Sequence, residues 1–498
     1  MKKRKGFTLI ELLAVIVILA IIALISTPVI LNVIEDSREK ANKNSVYGLI
    51  HAAELYYAEN MVDGNISFDE NGNKDILNEL KVSGKKPKSG FVKINDKGQI
   101  AVGTIYDDTC YVKDFDSDKV KQGDLSNCEY VTPPNKPVLY DNMVAIEINE
   151  SGIITVANIS NNSWYNYDLK KWANAVVLND GSKPSVGSTI PLEDIKQMYV
   201  WIPRYKYSDI TEVNKPFNIK FISKTEKGHT AFSLLNSDDT YSEISGIWVG
   251  KFEIASDYKI VPNVNSLYGA TLKTINTGIT NNIKPDIGEE LHMIKNTEWG
   301  AISYFTHSKY GICNENSCNT KVQNNNYIDS TLTIMTTGCG GDDTKVTGVC
   351  PDENKWTSTN GKGASTTHNI TGIYDMAGGR GEYVLSGMYG STDEQTRKID
   401  TAMSNFTDQD IEKMSPSTID KYNYGSSTRD ISRQIPGDAT GPTAGWDDDL
   451  RNFVSNSNSW FSRGGSMTGG VTSGIWSYDM EAGNGNNYLT SRVTIFGK

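Results

Sequence analysis

A run of three acids beside a tryptophan is a group of side chains that can bind a cation or a sugar. It lies in the segment Gly445-Trp446-Asp447-Asp448-Asp449. Carboxylate oxygens bind hard cations such as calcium, and an aromatic ring beside polar groups is a common pocket wall. Folding can add a further carboxylate, that of Glu382. A solvated loop is the alternative interpretation. The candidate ligands are Trp446, Asp447, Asp448, Asp449 and Glu382.

The residue types that usually carry catalysis are present but do not form a catalytic set. The five histidines are scattered and lack the spacing of a metal site. The sequence has neither a Gly-x-Ser-x-Gly elbow nor a glycine loop that could hold a phosphate. We therefore predict a protein that is not an enzyme and that needs neither a cofactor nor a metal.

A second acidic segment, Asp69-Glu70-Asn71-Gly72-Asn73-Lys74-Asp75, alternates side chains that carry oxygen. An EF-hand calcium loop needs glycine at its sixth position and glutamate at its twelfth. Here the glycine is misplaced and Leu80 stands at the twelfth position. The segment is therefore predicted to be a turn, and any calcium site stays open.

The cysteines are candidates for disulfide bonds, which export to an oxidising compartment would allow. The six cysteines fall into local pairs, each inside one predicted domain, and none has the Cys-x-x-Cys spacing of a metal or redox site. Many pairings are compatible with six cysteines, so the connectivity stays open, and free thiols are the alternative. The candidate disulfides are Cys110 with Cys128, Cys313 with Cys318, and Cys339 with Cys350.

One acid, Glu11, interrupts an apolar stretch from Phe7 to Leu31. As a helix the stretch is about 37 Å long, which is enough to cross a hydrocarbon core of about 30 Å with some tilt. Cations precede it and an acidic chain follows, so the N-terminus is predicted to be cytoplasmic. A cleaved signal peptide is the alternative, but the apolar run is long, and Ala20 and Ala23 have the wrong spacing for its cleavage site.

The segment Lys5-Gly6-Phe7-Thr8-Leu9-Ile10-Glu11-Leu12-Leu13 closely resembles the class III leader of type IV pilins and type II secretion pseudopilins. In that family a prepilin peptidase cuts after the glycine, here Gly6, and methylates the new amine, here that of Phe7. The resemblance implies that Glu11 pairs with the Phe7 amine of a neighbouring subunit and sets the assembly register. A carboxylate that only reaches the membrane interface is the alternative. Pro28 removes a helical hydrogen bond, so a kink is expected there.

Length and composition indicate a multidomain extracellular protein. The chain has 498 residues, 38% of them hydrophobic, and a net charge of −11. This length suggests about two to four domains. The high content of Gly, Asn, Ser and Thr favours β-rich domains with many loops. Because the sequence has no basic patch, nucleic acid is not expected to be a main partner.

Hydrophobic periodicity divides the chain into segments. Helical spacing continues through Val46, Leu49, Ile50 and Ala53, which predicts a long spine packed on a small sheet. The predicted strands of that sheet are Gly90–Asn95, Gln99–Tyr106 and Cys110–Lys113. The predicted domains are a leader (1–6), a pilin-like unit (7–131), a proline-rich linker (132–137), a small β-rich module (138–197) and a C-terminal domain (198–498).

The C-terminal domain contains the segments Met198–Pro203, Ile247–Glu253, Thr371–Gly379, Trp460–Ser466 and Ser491–Ile495. In sequence and in order, these segments resemble those of formylglycine-generating enzymes. The fold of that family is a loop-rich C-type-lectin-like α+β domain.

The chain departs from that family where the enzymes have their chemistry. The enzymes use a cysteine pair, bound to copper, after the Arg-Gly-Gly-Ser motif, whereas residues Met467–Phe496 contain no cysteine. The segment Gly379-Arg380-Gly381-Glu382-Tyr383 replaces the usual Asn-Val-Trp-Glu-Trp and keeps only the acid. The resemblance therefore implies the fold, with Asn296–Tyr304 as a short helix, but not the oxidase activity.

The sequence as a whole predicts an α+β protein: a long transmembrane helix with a small β-sheet domain, then a β-rich module and an irregular lectin-like domain. We expect a minor or tip subunit of a type IV pilus-like filament that displays an adhesive domain. A pseudopilin of a type II secretion or DNA-uptake system is one alternative, and a membrane-tethered enzyme is another. The expected partners are membrane lipid, prepilin peptidase, other pilin subunits, and a surface, glycan or protein ligand. The expected location is the bacterial cell membrane and then an extracellular filament.

Overall fold

The protein has an α+β fold with many strands and few helices, and it divides into two compact units, Met1–Val131 and Thr132–Lys498. The α+β class is as predicted. The computed structural model describes residues 13, 37–61, 66, 73–77, 79–80, 82, 85–87, 89–107, 109–123, 128, 136–159, 164–208, 210–264, 266–322, 327–328, 333–334, 355–388, 406–423, 433–455, 458–465 and 472–497.

Several predictions concern residues outside these ranges. They are the leader 1–6, the membrane stretch 7–31 apart from Leu13, and the linker up to residue 135. Within the part of the chain that is described, no helix combines the length and apolarity needed to span a bilayer.

The first unit packs one helix on one antiparallel sheet. The helix, α1, covers residues 37–61, and Val46, Leu49, Ile50 and Ala53 form its buried stripe. These positions recur at three- and four-residue intervals, so they share one helix face. Each fully buried aliphatic side chain contributes about 1.5–3 kcal/mol of transfer free energy. The strands are β1 (Asn73–Asp75), β2 (Ser89–Asn95), β3 (Ile100–Tyr106), β4 (Thr109–Lys113) and β5 (Lys121–Gly123).

The sheet order in this unit is β1-β2-β3-β4-β5, so each strand pairs with its neighbours in sequence. Val92 and Ile94 of β2 and Val102 of β3 are buried on the face that joins the core with α1. The three strands predicted from hydrophobic pattern lie within one residue of the observed bounds. Their turns begin with local signals such as Asn95-Asp96-Lys97-Gly98, which explains this agreement.

The second unit is built around an eight-stranded sheet of order β16-β24-β15-β10-β8-β6-β7-β9. Its strands come from both ends of the unit, and the C-terminal strand β24 lies inside the sheet. The bounds are β6 (Met143–Ile148), β7 (Ile154–Val156), β8 (Asn174–Leu178), β9 (Thr189–Ile190), β10 (Ile195–Pro203), β15 (Gly246–Gly250), β16 (Leu291–Met293) and β24 (Val493–Phe496).

The boundary predicted between residues 197 and 198 falls inside β10. Strand β10 pairs with β8 on one side and with β15 on the other. Residues 138–197 therefore belong to the large sheet and do not form a separate module. Sequence pattern missed this because pairing between distant strands leaves no local signal. The aromatic residues Trp164, Tyr167 and Trp172 are buried in the same core.

A second sheet of five strands lies in the same unit. Its order is β20-β19-β21-β22, with β23 paired to β19. The strands are β19 (Gly381–Met388), β20 (Asp420–Tyr422), β21 (Trp460–Arg463), β22 (Tyr478–Glu481) and β23 (Leu489–Ser491).

Short hairpins and helices complete the described part of the second unit. The hairpin strands are β11 (Tyr205–Tyr207) with β12 (Ile219–Phe221), β13 (Ser233–Leu235) with β14 (Tyr241–Glu243), and β17 (Tyr327–Ile328) with β18 (Thr333–Ile334). The helices are α2 (Leu272–Asn282), α3 (Asn296–Thr306), α4 (Thr359–Gly363) and α5 (Asp408–Lys413).

Helix α3 is buried along its whole length. It contains the helix predicted at Asn296–Tyr304. A side chain at Gly300 would bring its Cβ within 1.8 Å of the Gly437 carbonyl oxygen, so glycine lets the chain pass close to the helix. The first turn is fixed by Glu298, which accepts hydrogen bonds from the Lys295 backbone N–H and from the Thr494 hydroxyl.

Candidate functional site

Two buried basic side chains join three of the segments that suggested a lectin-like domain, namely Ile247–Glu253, Thr371–Gly379 and Ser491–Ile495. Lys251 donates to the carbonyl oxygens of Ile370 and Gly372, both at 2.8 Å. Arg492 donates to both carboxylate oxygens of Glu382, at 2.6 Å for the shortest contact. The opening strands, the central segment and the closing strand therefore meet in one core.

The same guanidinium also satisfies backbone carbonyls. Arg492 donates to the Gly250 oxygen at 2.7 Å and to the Tyr374 oxygen at 2.8 Å. Both partners of the Arg492–Glu382 ion pair are 0% exposed. A buried charge needs a partner and a full set of hydrogen bonds, and this pair has both.

The acidic segment Trp446–Asp448 forms a short 3₁₀ turn with left-handed backbone at Asp447 (φ 56°) and Asp448 (φ 66°). Trp446 packs edge-on against Trp476, with ring centroids 5.2 Å apart. Asp449 is 5% exposed and accepts a hydrogen bond of 2.8 Å from the Trp476 backbone N–H. Burial raises the pKa of the Asp449 carboxyl well above its usual range. This residue therefore fixes the loop rather than serving a ligand.

Glu382 does not join this loop as a ligand, because its carboxylate is bound to Arg492 in the core. Within the described ranges, the acids of the loop do not form a group with metal-binding geometry. The group with that geometry is His307, Cys313 and Cys318, but the two sulfurs are joined in a disulfide. A disulfide sulfur lacks the thiolate that binds a metal.

The structure contains the disulfides Cys110–Cys128 and Cys313–Cys318, two of the local pairs considered from sequence. The Cys110–Cys128 bridge lies in the first unit beside Ile105 and Val112. Cys339 and Cys350 lie outside the described residues. In the second acidic segment, Asn73–Asp75 forms β1, and residues 69–72 are outside the described part.

A cavity of about 220 Å³ lies on one face of the five-stranded sheet. Its lining includes Ser462 of β21 and Asp479 and Glu481 of β22. Ser462 stands opposite Asp479 in the ladder, and alternate residues of a strand share a face, so the three side chains point the same way. Leu450 and Leu489 supply apolar walls.

The two carboxylates of the cavity keep part of their acceptor capacity. Asp479 accepts hydrogen bonds through Oδ1, from the Asn452 side chain at 3.0 Å and from the Met480 N–H at 2.9 Å. Glu481 accepts through Oε1 from the Ser462 hydroxyl at 3.2 Å. Among the described residues, neither carboxylate has a cationic partner, and the second oxygen of each has no hydrogen bond.

Burial and the nearby charge of Asp479 raise the pKa of Glu481 to about 7. Ser477 also lines the cavity, is 1% exposed, and has a hydroxyl with no hydrogen-bond partner in the described part of the chain. Two acids without a cationic partner therefore lie beside a buried hydroxyl without a hydrogen-bond partner. A bound ligand could supply both the positive charge and the missing hydrogen bond.

Sequence reasoning missed this cavity. The available signal was the alternation Tyr478-Asp479-Met480-Glu481, which places two acids on one face of a strand. What the sequence did not show is that Gly465 and Ser473 line a cavity on this face. Leu450, which directly follows Asp449, lines the cavity, so the predicted acidic loop adjoins it.

The N-terminus of the chain matches a known protein family. Residues 1–27 match the family described as the prokaryotic N-terminal methylation motif. The comparison with curated proteins found no match for the chain. The predicted processing and assembly residues Gly6, Phe7 and Glu11 lie within the matched range, and Pro28 lies one residue beyond it; all four are outside the described residues.

The match supports a type IV pilin-like prepilin leader. It is consistent with a secreted subunit of the pilin or pseudopilin type and with a membrane-anchored N-terminus. It also suggests processing by prepilin peptidase and assembly with other pilin subunits.

Proposed function

We propose that this chain is a minor or tip subunit of a type IV pilus-like filament and that its second unit is an adhesive module. Prepilin peptidase cuts after Gly6 and methylates Phe7. The N-terminal helix then leaves the membrane and bundles with the helices of other subunits. The second unit is carried outward and binds a surface, a glycan or a protein.

The observation that carries this proposal is the methylation-motif match at residues 1–27. The first unit supports it, because helix α1 packs an apolar stripe on a small antiparallel sheet. A spine helix that covers one sheet is the arrangement that the leader resemblance implies for a pilin unit.

The size of the second unit favours a sparse position in the filament. It extends over Thr132–Lys498, far more chain than the first unit. A module of that size on every subunit of a helical filament would crowd its neighbours. A subunit at the tip, or one at intervals along the shaft, avoids this crowding.

The adhesive role rests on the resemblance of the second unit to the lectin-like fold, which is an analogy of fold. Neither catalysis nor a cofactor is part of the proposal, since the segment Met467–Phe496 lacks the cysteine pair of the resembled enzymes. The cavity beside Glu481 is the binding site that the geometry favours.

Processing is tested by mass spectrometry of the N-terminus of the native protein. A chain that begins at methylated Phe7 supports the proposal, and a chain that retains Met1 overturns it. Substitution of Gly6 by a bulky residue should leave a slower-migrating precursor. Glu11→Ala should be processed normally but should enter filaments less. Glu54→Ala, at an exposed position of α1, is the matched control and should assemble like the wild type.

Position in the filament is tested by immunogold labelling with an antibody against the second unit. Label at filament ends or at sparse points on the shaft supports the minor-subunit role. Dense label along the shaft contradicts it. Processed protein that never appears on an extracellular filament indicates a pseudopilin of a secretion or DNA-uptake machine instead.

A further inference from the structure

We propose that the cavity lined by Asp479, Glu481 and Ser477 binds a primary alkylammonium group, the chemistry of a lysine side chain. The inference rests on the proposed display function and names the ligand class that the displayed module would take. Its test uses purified full-length chain, so it does not depend on whether filaments form.

The first argument is charge. Asp479 and Glu481 are acids two residues apart on one strand face, and the residues that the structure describes in the cavity lining include no lysine or arginine. Two carboxylates in a partly buried site repel each other and are stabilised by a cation that enters between them. The described part of the chain supplies no such cation there.

The second argument is the number of hydrogen bonds. An ammonium group has three donors and no acceptor. The cavity offers the second oxygens of Asp479 and Glu481 and, independently of these acids, the Ser477 hydroxyl, which is 1% exposed and unpartnered. These acceptors match three N–H donors. A buried hydroxyl without a partner costs about 1–3 kcal/mol, which a ligand that bonds to it recovers.

The third argument is the apolar part of the cavity lining. Leu450 and Leu489 line the cavity beside the polar groups. An alkyl stem packs on leucine while its charged head reaches the carboxylates. A bare divalent cation, by contrast, has no stem to fill about 220 Å³. The alkylammonium group is therefore the class that fits.

Binding is measured by calorimetry on the full-length chain in detergent, with Nα-acetyl-lysine methylamide as the probe. The neutral Nε-acetylated form, glucosamine and calcium chloride are the comparison ligands. The lysine probe should bind and the Nε-acetylated form should not. Equal binding of the two lysine forms, preferred binding of glucosamine, displacement of the probe by calcium, or no binding of the probe each overturns the proposal.

Variants identify the cavity as the site. Ser477→Ala should weaken binding about three- to tenfold, and Glu481→Gln by about tenfold or more. Glu193→Gln, at an exposed acid on another part of the unit, should bind like the wild type. Thermal unfolding of each variant shows that it is folded. Unchanged affinity in both cavity variants contradicts the assignment.

The pH dependence is a separate readout. The titratable groups facing Glu481 are Asp479, Tyr488 on the cavity lining and Tyr383, whose pKa the Glu481 charge helps to raise. Because Glu481 must be ionised to hold the ammonium, wild-type affinity should rise about tenfold from pH 6 to pH 8. Glu481→Gln should flatten this rise. A wild-type affinity that is flat or falls over this range contradicts the proposal.

Discussion

The two units differ in the kinds of side chain that stabilise their cores. Among the described residues of the first unit, the buried polar side chains are Asn42 and Thr104, and the rest of the core is apolar with a disulfide. The described core of the second unit contains ionisable side chains. Those with 0% exposure are Arg204, Lys251, Glu298, Glu382, Arg463 and Arg492.

The difference follows from how much backbone is regular. Helix and sheet satisfy their own N–H and C=O groups, whereas irregular loops leave carbonyls that need donors. Arg204 illustrates this, because its guanidinium donates to the carbonyls of Ser223 and Phe232 as well as pairing with Glu243. A loop-rich unit therefore needs buried cations that a helix-on-sheet unit does without.

The largest expected loss of stability comes from removing the buried arginine that pairs with Glu382. Arg492→Met removes the only ion-pair partner that Glu382 has in the described chain and leaves the Gly250 and Tyr374 carbonyls without their donor. Loss of one partner of a buried pair costs about 3–5 kcal/mol. Denaturant unfolding of the full chain should show that loss in the transition of the second unit.

The matched control for this variant is Lys206→Met. Lys206 pairs with Glu226 at 2.8 Å, but both side chains are more than two-fifths exposed, at 43% and 48%. An exposed pair contributes about 0–1 kcal/mol. Equal destabilisation by the two variants would contradict the role assigned to buried charge.

The next largest expected effect is the loss of the disulfide of the first unit. Replacement of Cys110 and Cys128 by alanine opens a bridge with a sequence separation of 18. Loop entropy predicts a loss of about 3 kcal/mol in the free energy of unfolding. The equivalent change at Cys313 and Cys318, with a separation of 5, should cost about 2 kcal/mol. Unfolding of both variants by denaturant compares them, and the reverse order would contradict the loop argument.

The third prediction concerns the stability of the fold at low pH. His229 is buried, and its Nε2 donates to the Gly437 carbonyl at 2.9 Å. Burial lowers the pKa of His229 to about 3. The unfolded chain gains a proton below about pH 6.5 while the folded chain does not, so stability falls as pH drops from 6.5 towards 3. His229→Gln should lose about 2–3 kcal/mol less than the wild type between pH 7 and pH 4, measured by thermal unfolding. An identical pH slope in both proteins would contradict it.

The smallest expected effect is a substitution that makes the fold more stable rather than less stable. The folded-state pKa of Glu481 is raised to about 7, so the folded chain keeps a proton that the unfolded chain releases above about pH 4.5. Its charge therefore destabilises the fold as pH rises from 4.5 to 7. Glu481→Gln should be more stable than the wild type by about 1–2 kcal/mol at pH 8 and equal to it at pH 4. Lower stability of the variant at pH 8 would show that the charge is compensated within the chain.

The same contrast explains what could be predicted from sequence. The first-unit strands were placed within one residue because each has a periodic apolar pattern bounded by turn residues. Local patterns carry this information because neighbouring residues create it.

The ion pair and the cavity could not be predicted, because they depend on residues that are distant in sequence. Glu382 was considered as a ligand until the structure placed Arg492 beside it. Asp479 and Glu481 gave no sign that they line a cavity. For an acid, the question that decides its role is whether folding supplies a cation, and sequence spacing does not answer it.

The internal position of Val493–Phe496 has a consequence for biogenesis. This strand lies between β15 and β16, so the large sheet stays divided until the last strand has arrived. The second unit therefore cannot close before this strand is available to pair. A stalled precursor would expose two unpaired strand edges, which is a template for aggregation and a target for quality-control proteases.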